Sequence, residues 1–248
     1  MKNILCSEGF LYGYGVFETM KVINNNILDY EEHFYRLEKA CKVLDINLNI
    51  NIQKFYELLI WEVSKIKDPI YGLRFSIIKD GNNSFTFINK KKFFYTPGIY
   101  KQGFKLKISE YKKNPFSKLV YYKTLNYMEN LSELKIAKTE GYDEIIFFNI
   151  SDHLCECSTS NIFYIKNNII YTPSIENGLL NGIIRKKIFN WCKNHHYKII
   201  EKNIDKKELL DAEEVFLTNS LMGVMPVYSI ENKIFKKIII KKLIKNFN

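Results

Sequence analysis

No apolar run in the 248 residues approaches the ~20 needed to span a bilayer. The N-terminal MKNILCSEGF is too short and too polar for a secretory signal. Both absences set the expectation of a cytoplasmic protein without a membrane partner. Cysteine is scarce: Cys6, Cys41, Cys155, Cys157 and Cys192 make five, and no C-x-x-C pair occurs. An odd count without that spacing excludes a disulfide framework and reads as reduced thiols. Histidine is scarcer still at four. His195 and His196 are adjacent, and no histidine cluster completes a site with Cys155 and Cys157, so no metal is expected.

Arginine is the most telling shortage. Only Arg36, Arg74 and Arg185 stand among 37 basic residues. Generic positive positions are filled by lysine. A retained arginine therefore marks a place that needs a planar, bidentate fork for a phosphate or carboxylate, or a structural acid to pair with. The net charge of +10 is spread along the chain. No aromatic RNA-binding signature accompanies it, so nucleic acid is not an expected partner, while a general pull on anionic small molecules is. The one dense basic cluster, KIFKKIIIKKLIK, carries Ile234, Phe235, Ile238 and Leu243, which suit an amphipathic element packed on the body.

What is present is a mixture of strand and helix patterns. FLYGYGVFETMKVINNNILDY reads as a Gly-rich turn, a strand, an Asn-rich turn and a second strand. HFYRLEKACKVLDI has Phe34, Leu37, Cys41 and Leu44 at helical spacing, and residues 52–65 form a further helix. YGLRFSIIKDG and FTFINKKKFFY alternate like strands. YKKNPFSK, near 111–118, has the proline and polarity of a linker. Beyond it, Leu125, Met128, Leu131 and Leu134 keep a period of three before a stop at Gly141. DEIIFFNI and HLCECST form a hairpin around Ser151-Asp152, and NIFYIKNNIIYTPS another at Asn167-Asn168. GLLNGIIRKKIFNWCKNHH runs from a loop into a helix. IDKKELLDA opens with a capping box, Asp205 to Glu208. EVFLTNSLMGVMPVYSI closes the pattern as strand, turn, strand. On a strand, Cys155 and Cys157 share one face and Glu156 faces opposite. The class is α+β with segregated helices.

HFYRLEK, YKTLNYMEN, CECSTSNIFY, LLNGIIRKK and EVFLTNSLMGVMPV, in this order, resemble the fold-type IV pyridoxal-phosphate enzymes. That is the class IV aminotransferase family, which includes branched-chain and D-amino-acid aminotransferases and 4-amino-4-deoxychorismate lyases. The resemblance runs from GYGVFET to MPVYSI. It implies two domains: a smaller N-terminal α/β sandwich over 1–115, and a larger C-terminal domain over 116–248 with a pseudo-barrel of strands and the cofactor lysine. It implies pyridoxal 5'-phosphate as cofactor, a small-molecule substrate and a homodimer.

The resemblance also implies roles. Lys123 matches the lysine that holds the cofactor as a Schiff base, which calls for a partly desolvated amine of lowered pKa. Glu156 matches the acid facing the pyridine nitrogen, keeping it protonated so that the ring can accept electrons. Arg36 matches the arginine on the cofactor phosphate. Ile183 and Ile184 match the helix start that grips the same phosphate through main-chain N–H groups. Threonine is usual where Ile184 stands, so a hydroxyl contact is lost. Ser220 falls at a polar position near the phosphate, and Tyr127 at a tyrosine that bonds the cofactor's ring oxygen. Asn161 shapes the turn beside the cofactor. Arg74 aligns with an arginine that meets a substrate carboxylate, and Arg185 reads as a structural anchor.

The turn TNSLMG, with its bulky Leu and Met, looks most like the lyase branch. The resemblance therefore implies conversion of 4-amino-4-deoxychorismate to 4-aminobenzoate and pyruvate, a step toward folate. An aminotransferase for branched-chain or D-amino acids is the alternative. A basic binding protein on a degenerate enzyme fold is the third reading, disfavoured by the joint presence of Lys123, Glu156 and Arg36.

Overall fold

The computed structural model describes residues 4–247. They form two compact units, one of residues 4–94 with 122–127, the other of 95–121 with 128–247. In the first unit, α1 (Glu8–Tyr12) starts at Ser7, whose hydroxyl accepts from the Phe10 N–H, and ends at Gly13 with φ of 67°. β1 (Gly15–Ile23) turns through Asn24 and Asn25, both at positive φ, into β2 (Asn26–Ile27). Asparagine tolerates that left-handed backbone better than most residues, which is why an Asn-rich stretch makes the turn.

Helices α2 (Tyr30–Val43) and α3 (Ile52–Val63) follow, then β3 (Ile70–Asp80) and β4 (Asn83–Lys91). The strands make an antiparallel sheet in the order β2-β1-β3-β4. Alternation divides its two faces. Val16, Met20, Val22, Leu73, Phe75 and Ile77 pack with Phe34, Leu37, Phe55 and Leu59 of the helices. Each such side chain, fully buried, contributes about 1.5–3 kcal/mol. The other parity of β1 and β3 carries Phe17, Thr19, Lys21, Gly72, Arg74 and Ser76.

β2 pairs only with Val22 and Ile23, so the beginning of β1 keeps a bonding edge. Residues 123–125 use it. The Phe17 N–H donates to the Lys123 carbonyl at 2.9 Å, and the Leu125 N–H to the Gly15 carbonyl at 2.9 Å. Tyr122 packs on the same core.

The second unit begins with α4 (Pro97–Gln102) and β5 (Phe104–Lys113), continues through α5 (Met128–Thr139), β6 (Glu144–Asn149), β7 (Leu154–Cys157), β8 (Asn161–Lys166) and β9 (Ile169–Pro173), and then α6 (Ile183–Asn194), β10 (Ile199–Lys202) and α7 (Lys206–Leu210). β11 (Glu214–Asn219), β12 (Gly223–Ile230), β13 (Lys233–Ile234) and α8 (Ile240–Phe247) complete it. The sheet order is β10-β9-β8-β11-β12-β5-β6-β7, with β13 on β12. β7 also packs against β8 and β9, and the sheet curls into a half-barrel. Its interior holds Leu106, Ile146, Leu154, Ile162, Leu217 and Met225. Outside, α6 and α8 cover Phe163, Phe216 and Val224. The Asp205 side chain accepts from the Glu208 N–H as an N-cap, while the Glu208 carboxylate is engaged by Tyr164 and Lys202, so only half of the expected capping box forms. No helix among the described residues is long and apolar enough to cross a membrane.

Several sequence expectations are corrected. Residues 95–121 lie in the second compact unit, where β5 pairs in parallel with β6 and β12. Residues 111–113 are therefore strand. Lys123 belongs to the first unit, because its backbone bonds to β1. Of the period-three stripe in α5, Met128 and Leu131 are exposed, while Leu134 is partly buried with Ala137 against Ile145 and Phe147. A period of three drifts away from one face of a 3.6-residue helix.

Cys155 and Cys157 do not share a face. β7 has one extra residue between its pairings to Ile146 and Phe148, so Leu154 and Cys157 enter one core and Cys155 the other. In the C-terminal segment Phe235 and Leu243 are buried, but Ile234 and Ile238 are exposed. There Glu214 accepts from the N–H groups of Ile238, Ile239 and Ile240, fixing the start of α8.

A Cβ on Gly15 would lie 2.5 Å from the Ile77 carbonyl oxygen and 2.6 Å from Leu125 Cδ1. Gly15→Ala should therefore cost about 1–3 kcal/mol of stability. Urea unfolding followed by circular dichroism measures this, and an unchanged midpoint would contradict the close approach.

Candidate active site

In the first unit, Lys123 is half-buried, and its Nζ donates to Tyr127 Oη at 3.3 Å. The same Nζ lies 4.5 Å from the centroid of the Phe17 ring. The Tyr127 ring meets Phe17 edge-on at 5.3 Å. The Arg74 guanidinium lies over Phe17 too, at 4.1 Å. Lys123, Tyr127 and Arg74 are thus brought together on one aromatic ring. Arg74 Nε is buried and has no hydrogen-bond acceptor. Burial lowers the pKa of this guanidinium, and only Tyr127 opposes the shift.

Arg36 is held elsewhere in the unit. From α2 its Nε donates to Glu18 Oε1 at 2.7 Å and its Nη2 to Oε2 at 2.6 Å. His33, one helical turn earlier, approaches Oε2 through Nδ1 at 2.6 Å, the nitrogen that must donate to a carboxylate. Glu18 has the opposite parity to Phe17, so Arg36 is not part of the Phe17 cluster. Burial acts to raise the Glu18 carboxyl, but the guanidinium and the imidazole outweigh it and hold the pKa at about 2. Burial lowers the pKa of His33. Neither Glu18 nor His33 stood out in the sequence. The signal was the i, i+3 spacing of His33 and Arg36 opposite an acid in a strand of apolar residues.

In the second unit, Glu156 is buried, and its two oxygens have different partners. Oε1 accepts from Lys113 Nζ at 2.9 Å and Oε2 from the Leu180 N–H at 3.0 Å. The Lys113 ammonium, itself buried, also lies 4.9 Å from the Phe147 ring. Lys113 was hidden among many lysines and only the fold singles it out. The following loop is held by Glu144, a buried carboxylate that accepts from the Ser158 hydroxyl, from Thr159 Oγ1 at 2.9 Å and from both their N–H groups at 3.2 Å.

α6 starts at Ile183 after Gly182, and no side chain caps it. A Cβ on Gly182 would sit 2.1 Å from Asn161 Oδ1, so only glycine permits this approach. Asn161 Nδ2 also donates to the Leu180 carbonyl at 2.8 Å, and its backbone pairs with Thr218. The hydroxyls of Ser160 and Thr218 are buried without a partner. The Ile184 side chain packs with Ile188 and Trp191, which leaves its main chain as the polar contribution to the helix start. Ser220 is half-buried in the turn between β11 and β12, where Asn219 Oδ1 accepts from the N–H groups of Leu221 and Met222. Arg185 is buried and structural, bonding the Pro173 carbonyl and Glu201 at 3.0 Å each.

The family model for amino-transferase class IV matches residues 15–230. A probable branched-chain-amino-acid aminotransferase of Rickettsia bellii is 30% identical over 233 residues, 89% of this chain and 79% of that protein. An aminodeoxychorismate lyase of Bacillus subtilis is 28% identical over 238 residues, 90% of this chain and 80% of that protein. A solved structure described as a putative 4-amino-4-deoxychorismate lyase of Legionella pneumophila superposes with a TM-score of 0.92 at 31% identity, over 99% of this chain and 94% of that one.

The residues present fit a phosphate-bearing pyridine. In the second unit an uncapped helix start, two unpartnered buried hydroxyls and a glycine admitting close approach suit an anion. In the first unit a half-buried lysine amine stands over an aromatic ring. Mixed helix and strand composition and a curled sheet agree with the fold-type IV architecture.

The folded pKa of Glu18 lies below its ordinary value of 4.5, so its contribution to stability is complete above that value and is lost as the pH falls toward about 2. Glu18→Gln should flatten the dependence of the urea midpoint between about pH 5 and pH 3 and cost a few kcal/mol at pH 7. An equally steep wild-type and variant profile would refute the assignment.

Proposed function

Because the chain belongs to the class IV aminotransferase family of pyridoxal-phosphate enzymes, we propose that it is an aminodeoxychorismate lyase, converting 4-amino-4-deoxychorismate to 4-aminobenzoate and pyruvate. The carrying observation is that Lys123 and Arg74 share the Phe17 ring, which pairs an amine that can move a proton with a cation suited to a substrate carboxylate. The bulky turn at Leu221 and Met222 favours the lyase over the aminotransferase. The similarity to a Rickettsia protein named as a branched-chain aminotransferase supports the second reading, transamination of branched-chain or D-amino acids. The enzyme acts in the cytoplasm as a homodimer.

Lys123 carries the cofactor. Glu156, oriented by Lys113 and the Leu180 N–H, is the carboxylate for the pyridine nitrogen. Arg36, preset by Glu18, and the main chain at Ile183 and Ile184 hold the phosphate, with Ser220 beside them. Tyr127 serves the ring oxygen and orients Lys123 Nζ. The bound cofactor supplies an electron sink for the substrate carbon bearing nitrogen. Lys123 Nζ, when its amine is free, would take the proton from that ring carbon. The adjacent carbon–oxygen bond then breaks, the enolpyruvyl oxygen leaves with the bond's electron pair, and enolpyruvate gains a proton to become pyruvate. Formation of the aromatic ring drives the step. Arg74 binds a carboxylate of the substrate.

Incubation of the cofactor-loaded protein with aminodeoxychorismate should yield 4-aminobenzoate, detected by chromatography. Lys123→Ala should lower kcat by about 1000-fold or more. Absence of product above background ends the lyase reading. Release of 2-oxo acid from branched-chain or D-amino acids would instead establish the aminotransferase.

A further inference from the structure

The same parity of the first unit's sheet that carries Phe17 and Arg74 also carries Lys21. Thr19 pairs with Arg74, and Lys21 with Gly72, the next residue of that parity along β3. Lys21 is 5% exposed. Its Nζ lies 5.1 Å from the centroid of the Phe93 ring, and it has neither a carboxylate nor a hydrogen-bond acceptor among the described residues. Burial alone lowers its pKa, with no neighbouring charge to oppose the shift. Arg74 repeats the pattern, a guanidinium over an aromatic ring whose buried Nε has no acceptor.

Among the described residues, three other buried or half-buried cations each have an internal carboxylate: Arg36 has Glu18, Lys113 has Glu156, and Arg185 has Glu201. The acidic residue of the same parity on β3 is Asp80. It stands six residues from Arg74, about 20 Å along the strand, too far to pair. A buried charge without a counterion destabilises the fold, and apolar replacement is often neutral or favourable. Two such cations on one face, each resting on an aromatic ring, describe a surface whose anions come from outside the chain.

The geometry points to a dicarboxylate subsite on this face, with Arg74 receiving one carboxylate and Lys21 the second. This inference rests on the lyase reading, whose substrate has two carboxylates, and it names the residue that reads the second. Lys21 is a recognition residue and takes no part in proton transfer.

Calorimetric titration of the cofactor-loaded enzyme with isophthalate, which has two carboxylates on one ring, and benzoate, which has one, tests it without turnover. Wild type should bind isophthalate at least about tenfold more tightly than benzoate. Lys21→Met should abolish that preference, leave benzoate binding within about twofold, and melt no lower than wild type, while Lys21→Arg should keep the preference. An unchanged preference in Lys21→Met, no preference in wild type, or a lower melting temperature for Lys21→Met overturns the subsite. If the preference depends on Lys21 but no 4-aminobenzoate forms, the subsite stands and the lyase reading falls. If 4-aminobenzoate forms while Lys21→Met keeps the preference, the reverse holds.

Discussion

Two backbone hydrogen bonds, from Phe17 N–H to the Lys123 carbonyl and from Leu125 N–H to the Gly15 carbonyl, set the position of Lys123. They exist because β2 covers only one end of β1 and leaves the other end's edge unpaired. The edge is spent on a short segment of the same chain, which satisfies its donors and acceptors and removes a site of unwanted pairing. Everything proposed for Lys123 follows from that ladder. The ladder delivers Nζ to the Phe17 ring and sets Tyr127 within reach, and it requires that position 15 have no side chain.

The charged residues sort by what balances them. Glu18 and Glu156 each hold a cation, and those ion pairs orient groups that the proposed chemistry needs. A bidentate pair such as Glu18 with Arg36 fixes the guanidinium plane, which a single contact does not do. Arg74 and Lys21 are the counterexample: Lys21 is buried, Arg74 half-buried with a buried Nε, and each is aromatic-backed without an internal acid among the described residues. Folding tolerates such groups at a cost, and recognition of an anion is the physical reason to retain them.

Much of the local structure could be read from residue patterns. The Asn turns, the N-cap at Asp205, the helix of Arg36 and the strand of Glu156 follow from rules that act over a few residues, and the structure has each of them. The Cys155–Glu156–Cys157 alternation misled for a physical reason, since a one-residue bulge broke it. Helical drift leaves Met128 and Leu131 of the α5 stripe exposed and Leu134 partly buried. The departure at Ile184 is explained by packing, since its side chain fills the core beneath α6 while its main chain opens the helix.

Motif order and residue type were enough to identify the family and nominate Lys123, Glu156 and Arg36, because covalent capture, ring protonation and phosphate binding each demand a particular functional group. Those demands are local, so a linear string can carry them. Which of the many lysines is buried beside Glu156, which acid presets Arg36, and which cations lack a counterion depend on contacts between residues tens of positions apart. Only chain folding brings such partners within the few ångströms over which hydrogen bonds and ion pairs act, and no nearby residue in the string announces them.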